Sequence, residues 1–168
     1  MKLTARNIII IAIFLILQIV WFNNMLIFNK YTPIIFIYPL LTLSFETYKT
    51  YTYVIAFLMG LSIDFFLQTG GVFAATSLLI VHLRKYYFLL TKKPSQELTL
   101  IKPYHLPAGS KLTYFFVFTL ISQLLIYFFE SFQFSLLLHK IPLILINTLI
   151  SVLILFFIDF VVFNHTSK

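Results

Sequence analysis

The sequence has no cysteine and few charged residues. Without cysteine there is no disulfide, no thiolate nucleophile and no cysteine-ligated metal site. Only 10% of the 168 residues are charged and 61% are hydrophobic, whereas soluble domains are about 25% charged. A chain of this composition cannot shield its apolar surface from water by folding alone. It therefore predicts an all-α polytopic membrane protein, with residues 1–168 forming a single integral membrane domain.

Acidic residues are also scarce, with five against twelve basic residues and a net charge of +7. In a soluble chain this excess would suggest a nucleic-acid partner. Here the basic residues fall between apolar runs, so the positive-inside bias of membrane proteins explains them more simply. We therefore expect the protein to have the lipid bilayer, and no nucleic acid, as its partner. The first apolar run has no cleavage signal and is interpreted as an uncleaved span.

Six transmembrane helices are predicted, at about residues 8–28, 33–45, 51–66, 70–90, 112–129 and 141–163. The second is the least regular, because 13 residues give a helix of only about 20 Å against a hydrocarbon core of about 30 Å. Pro39 would also kink its middle. We therefore expect this element to be broken, sunk among its neighbours, or extended by the residues before Pro33.

The basic residues predict the orientation. With six spans and a cytoplasmic N-terminus, ten of the twelve basic residues fall on the cytoplasmic side, and only Lys30 and Lys140 lie outside. The polar stretch 91–111 becomes a cytoplasmic loop, as the positive-inside rule requires. Both termini are therefore predicted to be cytoplasmic, in a multi-pass protein.

The stretch 60–85 contains three of the four glycines and an aspartate inside a long apolar run. Ala56, Gly60 and Asp64 recur every fourth residue, so a helix would place them on one stripe. Small residues let membrane helices approach closely, and the sequence predicts a tightly packed helical hairpin here. Its second small-residue stripe follows a turn at residues 67–70 and comprises Gly70, Gly71, Ala74 and Ala75.

Asp64 has two interpretations. Ionisable residues inside membrane spans are costly and often functional, but a proton or cation relay needs further acids at similar depth, and only Glu130 is predicted to be near. The hypothesis we favour is structural. Close to the end of its helix, Asp64 would accept hydrogen bonds from the 68–71 turn and from the first amides of the next helix.

We expect no catalytic residue, cofactor or metal site. The four histidines are scattered singly, and no phosphate-binding or zinc-protease motif occurs. Ser62 and His82 could form a hydrolase dyad, but the predicted topology places Ser62 near the outer end of its span and His82 near the inner end of the next, so their depths in the membrane disagree.

Three residues are candidates for partner or interface contacts: Pro39, Arg84 and Glu130. We expect Arg84 to extend its side chain to the inner interface, with pairing to Asp159 as a weaker alternative. Glu130 is interpreted as an interfacial residue of an outer loop, or alternatively as part of a surface that docks another membrane protein.

Several short blocks occur along the chain from the second to the start of the last predicted span. They are Tyr38-Pro39-Leu40-Leu41, Phe45-Glu46-Thr47, Ala56-Phe57, Gly60-Leu61-Ser62-Ile63-Asp64-Phe65-Phe66, Thr69-Gly70-Gly71, Ala74-Ala75, Leu83-Arg84 and Phe128-Phe129-Glu130-Ser131-Phe132. In this order and spacing, the blocks resemble the rod shape-determining protein MreD family in its Bacteroidetes-like form. One departure is Gly70-Gly71, where a Pro-Gly pair is typical.

The resemblance implies a non-enzymatic subunit of the cell-elongation (rod) machinery in the bacterial inner membrane. Such proteins pair with an MreC-like single-span protein. They help to couple MreB filaments to RodA and a penicillin-binding transpeptidase, which build the lateral peptidoglycan wall. The alternative is a substrate-binding component of an energy-coupling vitamin transporter, which is similar in size and outline. That class usually carries Ala-x-x-x-Ala in its first span, whereas Ala5 and Ala12 are seven residues apart here.

Overall fold

A computed structural model describes residues 5–22, 31–42, 50–91 and 107–164. Apart from residues 31–36 and the turns, the described residues are helical, and they contain no β-strand, which confirms the predicted all-α class. Helix α1 continues into a π-helical stretch, Leu17–Phe22. The helices are α1 Ala5–Ile16, α2 Ile37–Thr42, α3 Thr50–Leu67, α4 Val72–Thr91, α5 Ala108–Ser131 and α6 Phe134–Asn164.

Three stretches are long and apolar enough to cross a membrane: Thr50–Leu67, Ala108–Ser131 and Phe134–Val161. Their outward side chains are themselves apolar, and Phe65 and Leu153 are 79% and 70% exposed. Such surfaces are stable against lipid but not against water. The structure therefore supports a helical membrane protein.

The predicted boundaries hold best for α3 and α4 and least well around the α5–α6 turn. Helix α5 begins at Ala108, so the end of the predicted 91–111 loop is helical, and residues 92–106 lie outside the described ranges. The predicted start of the last span at residue 141 is wrong. Helix α6 begins at Phe134 and includes Pro142, because the leucine-rich residues before this proline continue the helix. Only Phe132 and Gln133 separate the two helices.

The predicted second span is not a continuous helix. Residues 31–36 are non-helical, and only Ile37–Thr42 form the short helix α2. Two of the three expectations for this element hold. It is broken, and it is sunk among its neighbours, since residues 33–41 are all buried. Pro39 is the third residue of α2. A backbone N–H at that position makes no hydrogen bond within the helix, so proline removes no bond there and does not kink the helix. Residues 31–42 are called the central segment below.

The central segment lies in the middle of the hydrophobic core. The Tyr38 ring stacks on Phe14 of α1 at 4.8 Å between centroids and lies 6.2 Å from Phe115 of α5. Phe36 meets Phe73 of α4 edge-on at 5.5 Å. The longer helices thus pack around a short element that buries its side chains on all sides.

Candidate functional site

Non-helical backbone deep inside a membrane protein needs hydrogen-bond partners from other elements, because lipid supplies none. Gln18, at the π-helical end of α1, supplies three. Its Oε1 accepts from the amides of Ile35 at 2.7 Å and Phe36 at 3.2 Å. Its Nε2 donates to the Pro33 carbonyl at 3.4 Å. Gln18 is only 1% exposed, so its amide is committed to the central segment.

Helices α5 and α6 hold the first residues of the same segment. The Ile34 amide donates to Ser151 Oγ at 2.8 Å, and Gln123 Nε2 donates to the Thr32 carbonyl at 3.5 Å. These polar side chains replace the hydrogen bonds that a continuous helix would have made internally.

The other end of the central segment is held by Arg84 and Tyr114. Arg84 Nη1 donates to the Leu40 carbonyl at 2.6 Å, and the Tyr114 hydroxyl donates to the Leu41 carbonyl at 3.2 Å. The last carbonyls of α2 lack helical partners, and a guanidinium donor makes a charge-assisted hydrogen bond with one of them. The expectation that Arg84 reaches the interface is therefore wrong, since its side chain points inward and is 6% exposed.

Asp159 of α6 completes this end of the bundle. Lys111 Nζ of α5 lies 2.8 Å from its Oδ2, and the Tyr38 hydroxyl donates to its Oδ1 at 3.2 Å. The ion pair is largely buried, with side-chain exposures of 13% for Lys111 and 7% for Asp159. Asp159 therefore pairs with Lys111 and not, as the weaker alternative had it, with Arg84.

Gly60 marks the closest approach of α3 and α4. A Cβ atom at this position would lie 2.6 Å from the Ala74 nitrogen and closer still to Ala74 Cα and the Phe73 carbonyl oxygen. Real Cβ atoms do not come this close to backbone, so the two helices touch only because residue 60 has no side chain.

Asp64, one turn after Gly60, joins the same two helices through hydrogen bonds. Its Oδ1 accepts from the Phe73 amide at 3.0 Å and from the Thr69 hydroxyl, and its Oδ2 accepts from the Ala74 amide at 2.8 Å. These are the contacts that the structural hypothesis expected from the turn and the start of the next helix. The carboxylate satisfies two of the four unpaired amides at the start of α4.

The second predicted small-residue stripe is not a packing stripe. Gly70 and Gly71 have φ values of 66° and 99°, and a Cβ on either would meet no atom within 4 Å. They provide the left-handed backbone of the turn. Ala75 is only partly buried, whereas Ala74 is buried against Gly60. Ala56 is fully buried on α3, as the first stripe predicts.

The remaining candidates do not converge on a reactive centre. Ser62 Oγ donates to the Leu58 carbonyl at 2.7 Å, while His82 Nδ1 lies 3.4 Å from the Tyr53 hydroxyl. Pro39 is buried like Arg84, and Glu130 is exposed at the end of α5. In the described ranges no three histidine, aspartate or glutamate side chains are grouped to hold a metal ion.

Comparisons with family models, with characterised proteins and with solved structures each give no match. Two sites stand out. One is the central segment together with the polar side chains that hydrogen-bond it, called the polar clamps below. The other is the Gly60–Asp64 contact between α3 and α4. Both use polar groups to fix backbone, and both are suited to a rigid bundle.

Sequence reasoning missed most of the clamp residues. The available signal was a polar side chain inside an apolar helix, because such a side chain needs a buried partner. The clamp residues not predicted as site residues are Gln18, Lys111, Tyr114, Gln123, Ser151 and Asp159.

Proposed function

We propose that the chain is a non-catalytic scaffold subunit of the bacterial rod machinery in the inner membrane. In this role it binds an MreC-like single-span protein and couples it, with MreB filaments, to wall synthesis by RodA and a penicillin-binding transpeptidase. The proposal starts from the resemblance of the sequence blocks to the MreD family. The structure adds support through the way these blocks contact one another.

The main supporting observation is that separate blocks contact one another. Arg84, from one block, hydrogen-bonds the Leu40 carbonyl of another, 44 residues away. Gly60 and Asp64, from a third, pack on and bond to Ala74 of a fourth. Residues that maintain an architecture are expected to meet in this way, whereas residues of an enzyme would converge on an open cleft.

The proposal includes six membrane crossings with both termini in the cytoplasm. The direction of the central segment supports it. Contacts on α5 move from Gln123 to Tyr114 and contacts on α6 from Ser151 to Asp159, about 12–14 Å along each helix. The segment therefore runs antiparallel to α5 and parallel to α6, as a crossing element would. Reporter fusions at Gln133 and after residue 164 should show opposite sides of the membrane.

Glu130 is the charged candidate that lies on the surface, next to Phe132, which is 76% exposed. Together they offer a site for a partner near the α5–α6 turn. Affinity isolation of the tagged protein in mild detergent should recover an MreC-like single-span protein, and Glu130→Lys should reduce that recovery severalfold. Gln133→Lys, which also introduces a lysine at the α5–α6 turn but removes no acidic group, is the control. Absence of any such partner from the wild-type isolate would contradict the proposal.

A further inference from the structure

Helices α5 and α6 differ in length on the side of their connecting turn. The hydrogen bond from Asn147 Nδ2 to the Tyr127 hydroxyl marks one level of the pair. From this level to the turn, α5 continues for only four residues, to Ser131, whereas α6 uses thirteen, from Phe134 to Asn147. These lengths are about 6 Å and about 20 Å. Side chains lean toward the N-terminus of their own helix, so Tyr127 and Asn147 lean toward each other, which accounts for part of the difference.

The remaining excess length indicates that the first two turns of α6 run obliquely to α5. The Phe134 and Phe128 ring centroids are 6.2 Å apart. Lys140 Nζ lies 5.1 Å from the centroid of the Tyr127 ring. Two residues six apart on α6 thus contact two adjacent residues of α5, which a pair of antiparallel helices would not allow. Pro142 ends this part of α6, and an interior proline is a usual site of a helix kink. Residues 134–141 are called the oblique segment below.

The oblique segment is mainly apolar and is exposed on all sides. Its exposed large apolar side chains are Phe134, Leu136, Leu138 and Ile141, at 69%, 44%, 56% and 40%. Leu136 and Leu138 are two residues apart, so they lie on nearly opposite sides of the helix. A protein that docks on a helix covers one face, whereas apolar side chains on opposite faces require a surrounding apolar medium.

The oblique segment also contains polar residues, which are costly in the hydrocarbon core. They are Ser135, His139 and Lys140. A lysine at the edge of a membrane extends its ammonium group to the headgroups while its apolar neighbours stay in lipid. The exposed apolar surface continues along α6 through Leu145 and Leu149, at 43% and 54%. The oblique segment therefore lies at the edge of the lipid-facing surface of the bundle.

We propose that the oblique segment lies in the interface of the bilayer, between headgroups and acyl chains, and that lipid is the partner that covers it. Interfacial helices bury their apolar side chains about 5–10 Å into this boundary. In that position the segment fixes the depth of the α5–α6 hairpin in the membrane. The inference does not depend on the scaffold role, because the partner site proposed at Glu130 and Phe132 precedes the segment in the chain.

Spin labels attached to single cysteines test this placement, and the chain has no native cysteine to interfere. Phe134→Cys, Leu136→Cys, Leu138→Cys and Ile141→Cys replace exposed side chains, so a nitroxide label there should leave the fold intact. The labelled protein is reconstituted in vesicles of phosphatidylcholine and phosphatidylglycerol. Power saturation then compares the accessibility of each label to oxygen, which concentrates in lipid, with its accessibility to a water-soluble nickel chelate.

Two variants provide the reference values for this ratio. Ala108→Cys, exposed at the start of α5, is the reference for water, and Leu153→Cys, replacing a side chain that is 70% exposed in the middle of α6, is the reference for hydrocarbon. We expect the oxygen-to-nickel ratio in the oblique segment to be severalfold above the first reference and below the second. The depths at Phe134 and Ile141 should differ by less than about 5 Å, whereas a helix running straight into the membrane would separate them by about 10 Å.

Three results would overturn the proposal. A ratio as low as that of Ala108→Cys would mean that the segment extends into water. A ratio as high as that of Leu153→Cys would place it in the hydrocarbon core. Protection of the labels from both reagents would mean that protein covers the segment, and in vesicles of the purified chain that protein is a second copy.

Discussion

Replacing Gly60 by alanine tests how closely α3 and α4 approach. The added Cβ would lie 2.6 Å from the Ala74 nitrogen, whereas ordinary non-bonded contact begins near 3.5 Å. The helices must therefore separate by about 1 Å, and overpacking of this kind costs about 1–3 kcal/mol. The separation also stretches the hydrogen bonds from the Phe73 and Ala74 amides to Asp64, at about 1 kcal/mol each. The expected loss in the free energy of unfolding is about 4 kcal/mol.

The assay is unfolding by denaturing detergent in mixed micelles, followed by helical circular dichroism. Gly109→Ala is the matched control, because Gly109 is exposed in the first turn of α5 and a Cβ there meets no atom within 4 Å. It should be neutral or slightly stabilising, by up to about 1 kcal/mol. A Gly60→Ala protein as stable as Gly109→Ala would refute the close contact between the helices.

Three further substitutions probe the polar clamps and the turn. Gln18→Leu leaves two amides of the central segment without an acceptor and should lower the free energy of unfolding by about 3 kcal/mol. Gln18→Glu keeps an acceptor and should lower it less. Equal losses for the two variants would argue against the hydrogen bonds from Gln18. Lys111→Met strands the buried Asp159 carboxylate and should cost about 3–5 kcal/mol, and adding Asp159→Asn should recover part of that loss in the same unfolding assay. Asp64→Asn replaces one acceptor oxygen by a donor and should cost about 1–3 kcal/mol, and an unchanged unfolding midpoint would show that its bonds to α4 contribute nothing.

The α3–α4 hairpin was predictable because its determinants are local. The spacing of Ala56, Gly60 and Asp64 places them on one stripe, and the glycine pair that follows marks the turn. The hydrogen bonds of Asp64 span only five to ten residues, so the sequence around it contained the necessary partners. The role of Gly70 and Gly71 was misjudged because small size and left-handed backbone both favour glycine.

The central segment was not predictable to the same extent. Its non-helical start is stabilised by Gln18 and Ser151, and Ser151 is 117 residues from its partner Ile34. Nothing local distinguishes a short kinked span from a segment whose backbone is held by other helices. Arg84 was misplaced for the same reason, since a free carbonyl at Leu40 exists only because α2 ends there. Long-range hydrogen bonds, which spacing does not encode, decided both outcomes.

The most direct test of the proposed scaffold role is cell width during controlled depletion of the protein in the organism that encodes it. We expect rod-shaped cells to become wider and then round as the protein is lost, and we expect wild-type protein to restore the rod shape while Gly60→Leu does not. Cells that keep normal width and lateral wall synthesis after complete depletion would contradict it.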